Sequence, residues 1–467
     1  MRLRLRRQRA ARRELAPGPV APPPPRDEAG RLGADDPIAS PADDRLGRVE
    51  FARAIATVVR SAPRHAGFTI GVTGAWGEGK SSVLNLVVRE LERTGEAAVF
   101  EFNPWLFSGT QQLVEHFFEE LTAQFAESGD ARLRRVADGL RTYGRIVAPL
   151  RLLPGVGLVA KGSAEWAREL GDALTSERPS VREQRARLSQ RLAGLEKPIV
   201  VLVDDIDRLR GDEIVDVMRL VRLVGDFPNL VYVLAFDRPR VEAALGAGED
   251  RGAGRAYLEK IVQVLHDVPP PRPARLTELI LDDTFRAVGD LERFRFDQQH
   301  FTNVFYGGMR DLFATLRDVN RFANVLPATL GLIGDEIELT DILALEAVRV
   351  FAPDSFAAIL TSGDALTRPF DVDASEQREA ADRETVAAIV AAADHHVTAV
   401  QGLVRRLFPA AGRHLGGGRF GVESAGRWWD ERRVAHRDVL DVYVRRLLRQ
   451  GRARYHLTRP GAVGSAR

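Results

Sequence analysis

The sequence predicts a three-layer α/β/α sandwich built on a parallel sheet, followed by an α-helical C-terminal region. Three observations predict it. Phe68–Leu84, FTIGVTGAWGEGKSSVL, runs from a β-branched apolar stretch through a glycine-rich turn into a helical pattern. Lys197–Arg208, KPIVVLVDDIDR, is a continuous apolar run ending in two carboxylates, as expected of a central parallel strand covered on both faces. From Leu276 onward the apolar residues recur at helical spacing.

At 467 residues the chain has length for about three domains. Its formal net charge of +2 implies no polyanion partner for the protein as a whole, and nucleic acid is not indicated. Cysteine is absent, which excludes disulfides, thiolate metal sites and cysteine nucleophiles. Arginine vastly outnumbers lysine, which occurs at Lys80, Lys161, Lys197 and Lys260; we read this as a coding bias of bacterial type. The histidines form no metal-ligand spacing, since adjacent His395 and His396 point to different helix faces.

Residues 1–35 read as a disordered Arg/Pro-rich tail. No apolar segment follows the basic run MRLRLRRQRAARR, so it is not a secretory signal and a cytoplasmic location is expected. Ordered sequence begins at Asp36-Pro37-Ile38, and Arg48 to Ala62 is expected as a helix with Phe51, Ile55, Val58 and Val59 on one face.

Gly74, Ala75, Trp76, Gly77, Glu78, Gly79, Lys80 and Ser81 satisfy the phosphate-loop spacing G-x-x-x-x-G-K-[ST]. The mechanism behind the spacing is an inward-facing nest of backbone N–H groups followed by the positive end of a helix. Lys80 is placed to reach the β- and γ-phosphates and Ser81 to bind Mg²⁺, with Ser82 continuing the helix. Ala97 to Phe102 is expected as the second strand, leading into an aromatic-dense turn, Asn103 to Gly109. Leu113 to Phe125 keeps helical spacing.

Residues 145–160, RIVAPLRLLPGVGLVA, are apolar but hold Arg151, Pro149 and Pro154. A membrane span needs roughly 20 apolar residues, so the run reads as a buried or membrane-skimming part of an insertion at about 130–195. In the acidic strand tip, Asp204 is expected to hold Mg²⁺ and Asp205 to orient or deprotonate a water. Leu230 to Phe236 is a further buried strand whose tip, Asp237, is either a phosphate sensor or a helix cap. Gly246 to Gly254 is expected as a loop and Ile261 to Val268 as a fifth strand.

Helices are then expected over Leu276–Ala287, Met309–Ala323, Asp341–Phe351, Glu384–Leu407 and Val434–Leu448. Arg317 and Arg321 lie a helical turn apart on the second of these and are candidates to reach phosphates. The domain reading is a core at 36–270, a helical lid and C-terminal region at 271–450, and a disordered tail at 451–467.

As a set, the segments DPI, GAWGEGKSS, FNPWLFSG, VLVDDIDR, AFDR, YLEKIVQ with its following PPP, and RDVNRFAN resemble the KAP family of P-loop NTPases. The resemblance runs from about Asp36 to the terminal helices, and the FNPW turn and DDIDR segment carry its specificity. It implies an additional-strand ATPase core with a helical lid, ATP and Mg²⁺ as ligands, and a signalling or defence-type switch. Within that frame Lys80, Asp205 and Arg208 are the catalytic candidates, and Ser81 and Asp204 the metal candidates. Gly74 through Ser82, Asp237, Arg317 and Arg321 are the candidate nucleotide contacts. Many family members carry membrane helices where residues 145–160 stand, and this chain departs there. No Asn/Thr-Lys-x-Asp segment follows any lysine, which argues against GTP. A homo-oligomer, peripheral contact with the inner membrane face and an unidentified protein partner are left open. So is the alternative of a slow or non-hydrolysing nucleotide-gated scaffold.

Overall fold

The computed structural model describes residues 36–108, 113–128, 130–147, 179–224, 226–246 and 251–448. The two tails, most of the 145–160 run and part of the expected loop at 246–254 lie outside them. The described residues form two compact units, one from Asp36 to Pro270 and one from Pro271 onward.

The first unit carries α1 (Val49–Ser61), β1 (Phe68–Thr73), α2 (Lys80–Thr94), β2 (Ala98–Phe102), α3 (Leu113–Glu127), α4 (Ala131–Val147) and α5 (Pro179–Ala193). These are followed by β3 (Ile199–Val203), α6 (Gly211–Val224), β4 (Leu230–Phe236), α7 (Arg238–Leu245), α8 (Arg251–Leu258) and β5 (Val264–Asp267). The strands form one parallel sheet in the order β2-β3-β4-β1-β5. β4 is thus inserted between the strand that leads into the phosphate loop and the strand that ends in the acidic pair.

The continuous apolar runs explain the layers. Every residue of β3 and β4 is buried, because alternate side chains enter cores on opposite faces of the sheet. Val200, Leu202, Val231 and Val233 pack with Ile55 and Val59 of α1 and with Val83, Val87 and Leu91 of α2. Ile199, Val201, Val203, Tyr232 and Leu234 pack on the other face with Phe117 and Leu121 of α3 and Val217 and Val221 of α6. The register aligns the strand ends: Thr73 pairs with Phe236 and Asp267, and Val203 with Phe102 and Leu234. Residues that follow the strands therefore gather along one edge, where open parallel sheets place ligand chemistry.

The second unit is helical: α9 (Pro273–Val288), α10 (Gln298–Tyr306), α11 (Leu316–Ile333), α12 (Leu339–Phe351), α13 (Pro353–Thr361), α14 (Gly363–Thr367), α15 (Glu376–Ala391), α16 (Val397–Leu407), α17 (Pro409–Gly412), α18 (Val422–Asp430) and α19 (Arg437–Leu448). It has its own core, including Phe301, Phe305, Phe322, Leu343 and Tyr443.

Three expectations are corrected. The helix expected over Met309–Ala323 is a 3-10 turn, Met309–Leu312, followed by a separate α11. A reciprocal capping box between Thr315 and Asp318 starts that helix afresh and carries it on to Ile333. The single helix expected over Glu384–Leu407 breaks at Asp394, which takes a left-handed φ of 48°, while Ser375 caps α15 well upstream of the expected start. In the expected loop at 246–254, α8 begins at Arg251. Among the described residues no helix is long and apolar enough to cross a membrane.

Candidate functional site at the strand tips of the parallel sheet

β1 delivers the chain to Gly74, whose N–H donates to the Phe236 carbonyl of the neighbouring strand at 3.3 Å. The turn that follows requires left-handed backbone at Gly77 (φ 88°) and Gly79 (φ 83°), which glycine adopts without the steric cost of a Cβ. Gly79 is the N-cap of α2, so Lys80, Ser81 and Ser82 open that helix and its first N–H groups point out of the helix end. Ala75 N–H donates to the Glu78 carboxylate at 2.8 Å and its carbonyl accepts from Glu78 N–H at 3.2 Å, closing the turn on itself. Trp76 is 59% exposed.

Lys80 is held from two sides. Its ammonium donates to the carbonyls of Gly74 and Ala75 at 3.0 and 3.3 Å and to Asp207 Oδ2 at 3.0 Å. Both side chains of that ion pair are buried. Asp207 belongs to a short 3-10 turn, Ile206–Arg208, that follows β3. The turn is entered through Asp205 in the left-handed region (φ 58°), a conformation a non-glycine residue keeps only where its surroundings enforce it.

Asp204 accepts a hydrogen bond from Asp205 N–H at 2.8 Å, and the nearby Ser81 side chain favours its charged form. Burial pushes its carboxyl above the usual carboxylate range against these two effects, and the negative charges of Asp205 and Asp207 add to the rise. Asp205 has both oxygens engaged. Oδ2 accepts from Asn103 Nδ2 at 2.9 Å, and Oδ1 lies 2.7 Å from Arg208 Nε. Asn103, just past β2, turns its own Oδ1 to Trp105 N–H at 3.0 Å, which leaves the amide donor facing Asp205. The Arg208 guanidinium lies over the Trp105 ring, 5.2 Å from its centroid. The FNPW turn is thus built around the carboxylate of Asp205.

The other expected residues are placed as follows. Asp237 caps α7, its Oδ1 accepting from Arg240 N–H at 3.1 Å. Ser82 Oγ accepts from Ile38 N–H at 3.3 Å, and Asn85 Nδ2 donates to the Ile38 carbonyl at 3.0 Å, so the DPI segment crosses the start of α2. Arg317 and Arg321 stand on α11 of the second unit, where Arg321 lies over Phe351 and reaches the Val350 carbonyl. The first unit therefore brings together Gly74–Ser81, Asp204, Asp205, Asp207 and Arg208.

Sequence reading missed Asp207 and the contact made by Asn103. Asp207 lay in view in the DDIDR segment, but nothing in its spacing says that a left-handed Asp205 turns it back to Lys80. It also missed a three-dimensional carboxylate–histidine cluster in the second unit: donor atoms of His300, Glu338 and Asp341 lie within 4.8 Å of one another. Asp341 there is already engaged, with Arg433 Nε at 3.0 Å, Val434 N–H at 2.8 Å and His300 Nε2 at 2.8 Å. Its charge is met by a guanidinium.

A phosphate-loop turn between β1 and α2, with an acidic strand tip one strand removed, agrees with what family comparison finds. The KAP family P-loop domain matches residues 48–333, more than half of the chain. The chain belongs to that family. The phage T7 exclusion protein of Escherichia coli (strain K12) is 26% identical over 354 residues, covering 69% of this chain and 46% of that protein. The KAP chain thus spans less than half of that relative's length. Among solved structures, Drosophila ORC bound to DNA is similar at 13% identity and a TM-score of 0.33, over 94% of this chain and 99% of that one. A Thermotoga maritima RuvB is similar at 12% identity and a TM-score of 0.30, over 84% of this chain and 97% of that one. The fold of this KAP chain rests on its own strand order and site, not on likenesses of that size.

Proposed function

We propose that this KAP chain binds ATP with Mg²⁺ at Gly74–Ser82, hydrolyses the β–γ bond, and passes its nucleotide state to the helical unit. The observation that carries the reading is that the Ser81 side chain lies beside the Asp204 carboxylate, close enough to favour its charged form, so that the phosphate loop meets the acidic tip of β3. A hydroxyl and a carboxylate oxygen side by side are the hard donors Mg²⁺ takes from protein, the rest of its shell being water and phosphate. The donor set therefore fits the ion. Bound there, Mg²⁺ would supply charge neutralisation on the β- and γ-phosphate oxygens.

The chain's own residues do the remainder. The N–H groups at the start of α2 cradle phosphate oxygens. Lys80, pre-oriented by Asp207 and two carbonyls, places a cation against them at little ordering cost. Asp205 orients or deprotonates the attacking water, for which it must exchange at least one of its partners Asn103 and Arg208. Arg208 so released, or Arg238, is available to offset charge that develops on the transferred group.

The double restraint on Asp205 favours a second reading, in which turnover is slow and the bound state itself organises partners. Steady-state phosphate release separates the two. Turnover lost in both Lys80→Ala and Asp205→Asn supports the ATPase. ATP binding with wild-type release no faster than that of Asp205→Asn supports the scaffold. Exclusion of phage, the property named in the Escherichia coli relative, is the biological setting we assign to the switch. Plating efficiency of phage on cells carrying wild-type or Lys80→Ala protein tests it.

A further inference from the structure

Arg48 stands at the N-cap of α1, 30 residues before Glu78, and is 5% exposed. Its guanidinium is forked. Nη1 donates to the Glu78 carbonyl, and Nη2 donates to the Pro269 carbonyl at 3.1 Å. The end of the guanidinium also lies close against the loop, since a Cβ added to Gly79 would come 2.7 Å from Nη1.

The first of these bonds has a stereochemical consequence. In a planar trans peptide the C=O and the N–H point in opposite directions. A carbonyl of Glu78 drawn back to Arg48 therefore turns the N–H of Gly79, in the same peptide, toward the opposite side of the loop. That side is where a nest of N–H groups takes an anion. The second bond reaches Pro269, next to the point where the chain leaves the α/β unit at Pro270. One planar, permanently charged side chain thus holds both a donor-bearing peptide of the phosphate loop and the exit strand's proline run.

We infer that Arg48 is a positioning residue that orients the Gly79 N–H for phosphate and transmits occupancy of the loop to the 268–272 junction. This rests on the reading that phosphates bind in Gly74–Ser82. A phosphate that pulls on the Gly79 N–H acts on the same peptide plane as Arg48, and Arg48 acts on Pro269. Linkage makes the effect reciprocal, so a restrained junction favours the occupied loop. Lysine cannot replace this arrangement, because its ammonium lacks the rigid fork that spans two acceptors.

The test is amide hydrogen exchange on the full chain, with and without saturating Mg-ATP analogue that resists hydrolysis, in wild type, Arg48→Lys and Arg48→Gln. Binding is titrated in parallel, with Lys80→Ala as a control. In wild type the nucleotide slows exchange in the loop and also at Val268 and Arg272, which flank the three prolines. In the Arg48 variants affinity falls about tenfold, as for loss of one charged hydrogen bond, and at saturation the loop is still protected while Val268 and Arg272 no longer respond. The inference is overturned if saturated Arg48 variants transmit the same change, or if saturated wild type shows none at the junction. Two variants that each keep a donor guard against one misfolding, and the wild-type measurement alone can refute the link. Absence of nucleotide binding by wild type, or binding indifferent to Lys80→Ala, overturns the functional reading instead and this inference with it.

Discussion

Lys80 Nζ lies 3.0 Å from Asp207 Oδ2, and both residues are only 7% exposed. The pair changes what a substitution of the phosphate-loop lysine reports. Lys80→Met strands a buried carboxylate, so it destabilises the folded chain by about 3–5 kcal/mol, as breaking a buried pair does. Lys80→Met with Asp207→Leu removes both charges and recovers most of that loss, while phosphate binding stays absent. Urea unfolding without nucleotide checks this; equal stability of the single and double variants would show that the pair is not what Lys80→Met disturbs.

Asp205 is the next case, because its two partners act on different oxygens. Asn103→Ser keeps a side-chain acceptor that caps the following turn but removes the amide donor that holds Oδ2. We expect kcat for ATP hydrolysis to rise with KM unchanged. Asp205→Asn is expected to lower kcat by about 10²–10⁴-fold, the usual worth of a general base. A fall in kcat for Asn103→Ser would mean that the amide supports the working position of Asp205 rather than holding it back.

These contacts mark how far the sequence could be read. Strand Leu230–Phe236 was legible residue for residue, because a fully buried parallel strand writes an unbroken apolar run between turn residues. The loop at Gly74–Ser81 was legible because its glycines answer a local backbone demand. Asp207 was not, since its return to Lys80 depends on one left-handed residue, Asp205, which composition does not announce. Arg48 was not, since its acceptors are carbonyls 30 and 221 residues away, and any residue type supplies a carbonyl. The break at Asp394 was not, because apolar spacing continues across it.

If Asp204 holds Mg²⁺ as proposed, Mg²⁺ binding depends on pH. Burial holds its carboxyl above the ordinary range, and a metal ligand must be deprotonated. Protons therefore compete with Mg²⁺ at a higher pH than they would at a surface aspartate. Apparent Mg²⁺ affinity in the presence of a nucleotide is expected to rise with pH as Asp204 loses its proton and then level off. Asp204→Asn, which cannot titrate, should bind Mg²⁺ more weakly and with a flatter pH dependence. Titrations at pH 5 and pH 8 distinguish the two; equal slopes would separate Asp204 from the ion.

In the helical unit, burial beside Asp341 pushes the Glu338 carboxyl up to about 7, from about 4.3 in an unfolded chain. Between those values the folded state binds more protons than the unfolded state, so stability from this group is full below the lower value and is lost as pH rises through the upper one. Asp341 moves the other way: against the cost of its burial, the Arg433 charge and the His300 hydrogen bond hold its carboxyl below the usual range. Its contribution is present at neutral pH and lost in acid as the pH falls through that lowered value. The helical unit should therefore lose urea resistance from pH 5 to pH 8. Glu338→Gln removes the titration, and because Glu338 caps α12 through Asp341 N–H, it costs about 1 kcal/mol at pH 5. Its urea midpoint should then change little between pH 5 and pH 8. A wild-type midpoint that rises over this interval, or a variant that falls as steeply as wild type, would remove Glu338 as the cause.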